Sequence, residues 1–225
     1  MNIVRRLRPF LLIVAVIFSF TSCIGLSIDI QLNRDGSGRI TMEYRISRTL
    51  ENLGALDGNV SMPAIPVSRA DWEKTIERIS GAKLVSFSSV QRGQDTVITA
   101  ALDFSSMETL LMILDPEGSK TNIGLNQFSL ILNGNAEAGS SQYFDTSEYD
   151  ENLINLARLL FSDYDFSISF SASGNSTLTI TDGTGKEINP PSAAQVLPRG
   201  RRVSMSIGII DLIEIKEGLG VVFRW

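Results

Sequence analysis

The sequence predicts an α+β fold, an antiparallel sheet built from hairpins with about three amphipathic helices packed on it. Three observations carry the prediction. Apolar residues alternate with polar ones in runs joined by glycine-rich turns, as half-buried strands require. Capping signatures precede apolar residues at helical spacing. The strands are paired by short turns and interspersed with helices, which argues an α+β domain on an antiparallel sheet.

In Ser27–Ser47 the alternation is regular. Ile28, Ile30 and Leu32 oppose Asp29, Gln31 and Asn33; after "RDGSG", Ile40, Met42, Tyr44 and Ile46 oppose Thr41, Glu43, Arg45 and Ser47. This is a hairpin with one buried face. Residues 50–67, punctuated by Gly54, Gly58, Pro63 and Pro66, read as a connecting loop. Ser68 and Asp71 then have the spacing of a capping box ahead of Trp72, Ile76 and Ile79, and Gly81 ends that helix. A second hairpin follows, "AKLVSFSSV" and "TVITAALDF" about Arg92-Gly93-Gln94. Ser105 and Glu108 cap a second helix, "METLLMIL", which Asp115-Pro116 breaks.

The loop "DPEGSKTNIG" leads to a strand over Gln127–Leu132, and the Gly/Ser/Asn-rich residues 133–146 read as a mobile connection. A third helix is expected over Tyr149–Phe161, with Leu153, Leu156, Ala157 and Leu160 inward. "DFSISFSA" and "STLTIT" are expected to pair through "SGNS" as a third hairpin. A flexible Pro-rich loop near 183–200 precedes "RRVSMSIGI", a short apolar turn over 211–215 and a closing strand, "LGVVFRW", with Trp225 in the core. "NRDGSGRI" and "ITDGTGKEI" echo each other; shared turn chemistry explains them more simply than duplication.

The N-terminus has a different character. Arg5, Arg6 and Arg8 precede an apolar run, Phe10–Phe20, that is shorter than the roughly 20 residues of a membrane span. That is the layout of a secretory signal over residues 1–22, with an uncleaved anchor as the alternative. Phe20-Thr21-Ser22-Cys23 resembles a relaxed lipobox of bacterial lipoprotein precursors, with Phe20 at the usual leucine and Thr21-Ser22 at the commoner Ala-Gly. The resemblance implies cleavage before Cys23, diacylglycerol on its thiol and an acylated new N-terminus. Acyl chains contributing about 0.8 kcal/mol per buried methylene would hold the protein on a membrane. A small core thiol is the other reading of Cys23.

Removal of residues 1–22 leaves 203 of 225 residues as one envelope domain, 23–225. Three arginines and no acid go with them, moving the formal charge from −5 to −8. With no cysteine besides Cys23, no internal disulfide can form, so the core alone must stabilise the domain. The acidic balance argues against a nucleic-acid partner.

No histidine occurs, which excludes Ser-His-Asp and Cys-His catalysis and the usual proton shuttle. No nucleophile elbow, Walker loop or dinucleotide fingerprint is present. The strongest acidic cluster is Asp145, Glu148, Asp150 and Glu151. It could serve a carboxylate-based hydrolase or bind Ca²⁺, but acids at a helix start are also favoured by the helix dipole. Asp35 and Asp182, beside turn glycines, read as turn residues rather than Ca²⁺ ligands.

The alternation of Leu219, Val221, Phe223 and Trp225 is similar to the closing signature of outer-membrane barrels, although the expected helices favour a buried closing strand. The order "IDIQLNRDGSGRITMEYRIS", a Trp-bearing helix, and a hairpin ending "ALDF" resembles the LppM-type domain of bacterial lipoproteins. That resemblance implies an α+β fold and a lipid-associated role, and carries over no functional residue. The expectation is therefore a lipid-anchored, non-enzymatic envelope lipoprotein, facing the periplasm or the cell exterior. Its partners are a membrane, through the anchor, and a lipid or an envelope protein; no cofactor or metal is expected. A structural subunit of an envelope complex is a further alternative.

Overall fold

The computed structural model describes residues 24–47, 66, 68–93, 95–116, 118, 120–133, 164–215 and 218–225. The described residues build ten strands, β1 (Ile24–Leu32), β2 (Gly38–Ser47), β3 (Ala82–Arg92), β4 (Asp95–Phe104), β5 (Thr121–Gly124), β6 (Gln127–Asn133), β7 (Asp165–Thr181), β8 (Gln195–Leu197), β9 (Arg199–Gly208) and β10 (Leu219–Arg224). Three short helices are described, α1 (Arg69–Ile76), α2 (Met107–Leu114) and α3 (Ile209–Glu214). All ten strands belong to one sheet in the order β3-β4-β2-β1-β7-β10-β6-β5, with β9 on β7 and β8 on β9.

This corrects the expected fold class. The protein is mostly β, and its sheet is a strongly curled half-barrel of mixed parallel and antiparallel pairs, not an antiparallel sheet with helices packed on it. The decisive element is β7. Its 17 residues form one strand, where "SGNS" was expected to turn a hairpin. Gly174 lacks the positive φ that such a turn would require, so the backbone runs on through it. The first half of β7 pairs in parallel with β1, from Ile24–Asp165 to Leu32–Ala172, and the second half pairs antiparallel with β10, from Thr177–Arg224 to Thr181–Gly220. Changing partner along its length lets one strand join both halves of the sheet.

The period-two pattern has its expected consequence. Phe87, Ala100, Met42, Ile28, Ile168, Met205 and Val196 form one cross-strand row over seven strands, and its residues pack within or against the core. At the β6–β10 end, Phe128 stacks on Phe223 with centroids 4.9 Å apart and meets Phe170 edge-on at 5.6 Å. Trp225 is half-buried and leans on Phe170 at 5.4 Å. The opposite face is polar: one row reads Lys83, Asp103, Arg39, Gln31, Ser171, Arg202.

Most local expectations match. The hairpins β1–β2 and β3–β4 form, and α1 starts with a capping box in which Ser68 and Asp71 bond each other's backbone N–H. The α2 cap is Ser106 rather than Ser105, its hydroxyl accepting from the Thr109 N–H. Within the expected loop before β6 lies β5, and within the expected Pro-rich loop lies β8. The helix expected over Tyr149–Phe161 lies outside the described residues. No described helix is long and apolar enough to cross a membrane.

Candidate functional site

Cys23 and the cluster Asp145, Glu148, Asp150 and Glu151 lie outside the described residues. Ile24, next to Cys23, is already paired in the sheet as the first residue of β1. Asp35 and Asp182 are turn residues. Asp35 accepts from the Ser37 hydroxyl at 2.7 Å and N–H at 3.1 Å, and these bonds hold its carboxyl below the usual aspartate range. Asp182 accepts from the Thr184 hydroxyl at 2.6 Å and from the Thr184 and Lys186 N–H groups, with the same effect. Trp72 is buried between α1 and the sheet. Its indole N–H lies close to the Tyr44 hydroxyl without the geometry of a full hydrogen bond, and burial pushes the Tyr44 phenol up against a smaller opposing effect of that indole. Among the described residues no three carboxylate or thiol side chains are grouped as a metal site.

Three surface grooves carry the remaining polar chemistry. The first, about 420 Å³, lies over β7, β8 and β9 and is lined by serine hydroxyls, among them Ser167, Ser169, Ser204 and Ser206. There Ser169 donates to Asp29 Oδ1 at 3.1 Å and accepts from Arg202 Nη2 at 2.9 Å, while Arg202 also meets Asp29 Oδ1 at 3.2 Å. The trio satisfies itself, and with no base on Ser169 other than an ion-paired carboxylate it is not an activated nucleophile. The second groove, about 500 Å³, lies at the β1–β2 turn end and is crossed by the Arg39–Asp103 pair at 2.7 Å. The two members of that pair neutralise each other, and Lys83 on the same groove has no carboxylate within 4 Å among the described residues.

The third groove, about 670 Å³, differs. It runs beside the second half of β7, where the chain returns twice: the Ile188 N–H donates to Ile180 O at 3.0 Å and the Leu178 N–H to Pro198 O at 2.9 Å. Thr177 stands opposite Arg199 of β9 on one side and Arg224 of β10 on the other. A register break in β7 between Ser171 and Ser176, together with Gly200 at φ 139°, lets β9 continue past the bend to this position. Arg224 is oriented by neutral groups, donating from Nε to Gln127 Oε1 at 3.1 Å and from Nη1 to Thr179 Oγ1 at 3.0 Å. Neither Arg199 nor Arg224 has a carboxylate within 4 Å among the described residues.

The sequence reading missed this pair. Its visible trace is "PRGRR", a local concentration of arginine in a chain of net charge −5; Arg224 is distant in sequence and joins it only through the sheet. No protein-family model matches the chain, and comparison with curated proteins finds no match.

Proposed function

We propose that the chain is a lipid-anchored, non-enzymatic protein of a bacterial cell envelope, held on a membrane through Cys23 and binding an envelope component or an apolar ligand. The observation that carries the proposal is the position of Cys23. It closes an arginine-led apolar segment too short to span a bilayer, and it immediately precedes a strand that starts pairing at Ile24. A thiol there is the natural nucleophile for a thioether to diacylglycerol, and two or three acyl chains make attachment persistent.

Growth of the producing cells with labelled palmitate tests the anchor. The full-length protein is expected to carry label and to enter the detergent phase on Triton X-114 separation, whereas Cys23→Ala loses the label and shifts toward the aqueous phase. Labelling and partition unchanged in Cys23→Ala would overturn the proposal.

A further inference from the structure

We propose that the groove beside the second half of β7 is a binding site for a phosphate-type oxyanion, gripped by Arg199 and Arg224 across Thr177. This assignment does not depend on the lipid anchor. Neighbouring strands are about 4.8 Å apart, so two arginines separated by one intervening strand have Cα atoms about 10 Å apart. With Arg224 held by its neighbours and Arg199 free to swing, two guanidinium groups at that spacing can close on one tetrahedral anion, Arg199 offering its whole planar fork and Arg224 its remaining donors.

Three features distinguish this pair from ordinary surface arginines. First, Arg39, Arg45 and Arg202 each meet an aspartate, whereas Arg199 and Arg224, like the exposed Arg92 and Arg201, meet none among the described residues, and Arg199 and Arg224 converge on one cross-strand neighbour, Thr177. Second, Arg224 is held in place by Gln127 and Thr179, acceptors that orient its fork without neutralising it. Such preorganisation lowers the ordering entropy of binding. Third, the groove adds the Thr177 hydroxyl and the Asn189 amide to the two cations, over a wall formed by Ile188 and Val196. Glu187 lines the same groove without pairing with either arginine, so it opposes the anion and limits affinity.

The probes are inorganic phosphate, glycerol 3-phosphate and dihexanoylphosphatidic acid below its micelle concentration, titrated calorimetrically into the full-length protein in neutral detergent. All three are expected to bind, weakening as salt is raised. Equal affinity across the three identifies the anion itself as the ligand; tighter binding of the short-chain lipid identifies a headgroup with its chains along the apolar wall. Arg199→Gln, an exposed position without a partner to lose, is expected to weaken binding about tenfold or more, as loss of one charge-assisted contact implies. Arg224→Lys weakens it through loss of the fork, and Glu187→Gln strengthens it. Arg34→Gln with Arg78→Gln, which lowers the net charge elsewhere, leaves affinity unchanged. Absence of heat with all three probes, or equal weakening by the Arg34/Arg78 control, would overturn the site.

Discussion

Asp115 shows how one side chain can do more than its sequence signal suggests. Next to Pro116 it reads as a helix breaker, and it does follow α2, its N–H donating to Leu111 O at 2.7 Å. Its carboxylate also turns back to accept from the Lys120 N–H at 2.6 Å, the Thr121 N–H at 2.9 Å and the Thr121 hydroxyl at 3.2 Å. With 8% of its surface exposed, Asp115 thus ties the end of α2 to the start of β5. Charge-assisted bonds to a buried acceptor are worth more than the exposed Arg39–Asp103 pair, which water and salt screen. Asp115→Ala is therefore expected to lose about 2 kcal/mol of stability by urea denaturation. Asp115→Asn, which keeps a carbonyl acceptor, should lose about half of that, and Asp103→Ala no more than about 1 kcal/mol. Equal losses for Asp115→Ala and Asp103→Ala would refute this ranking.

At the scale of elements, the decisive contrast is between two glycines. Gly38 opens β2 with its Cα facing β1 and β4, where a Cβ would overlap the Gln31 carbonyl oxygen and press on the Phe104 ring. Gly174, in the middle of β7, has no heavy atom within 4 Å of an added Cβ and no positive φ. Gly38→Ala is expected to cost about 2 kcal/mol, because backbone gives way poorly. Gly174→Ala should stabilise by about 0.5 kcal/mol, since alanine loses less backbone freedom on folding. A hairpin turn at "SGNS" would demand the reverse for Gly174, so a destabilised Gly174→Ala would argue against a continuous β7. The same contrast explains what could be read in advance. The hairpins β1–β2 and β3–β4, the helices α1 and α2, and the strands β6 and β10 are set by neighbours in sequence, and alternation with turn and cap chemistry reveals them. "SGNS" has the composition of a turn whether it bends or not. The β1–β7 pairing that makes the sheet mixed joins residues such as Asp29 and Ser169, 140 positions apart, and leaves no local period to detect.

The whole molecule couples the proposed anchor to the proposed groove through one strand. Because Ile24 is already paired with Asp165, lipid on Cys23 would put the end of the sheet level with the start of β1 nearest the bilayer. In register, that end contains Ser47, Asp95 and Arg92 on one side and Asp165 and Gly208 on the other. The β1–β2 turn lies at the far end of nine strand residues, about 30 Å away. The groove at Thr177 lies twelve residues beyond Asp165 on β7, up to about 40 Å along the strand. An anchored molecule would thus hold its arginine pair away from its own bilayer and toward material above it. With Cys23 consumed by lipid, a single introduced cysteine can carry a donor dye, and acceptor-labelled headgroups report its height by energy transfer. Transfer is expected to be strong from Gln91→Cys and weak from both Arg34→Cys and Thr184→Cys, the last of these in the turn next to the groove. Equal transfer from all three, with palmitate label retained, would mean that the domain is anchored without a fixed orientation. Strong transfer from Thr184→Cys would mean that the groove faces the membrane, and the ligand would then have to be sought among its headgroups.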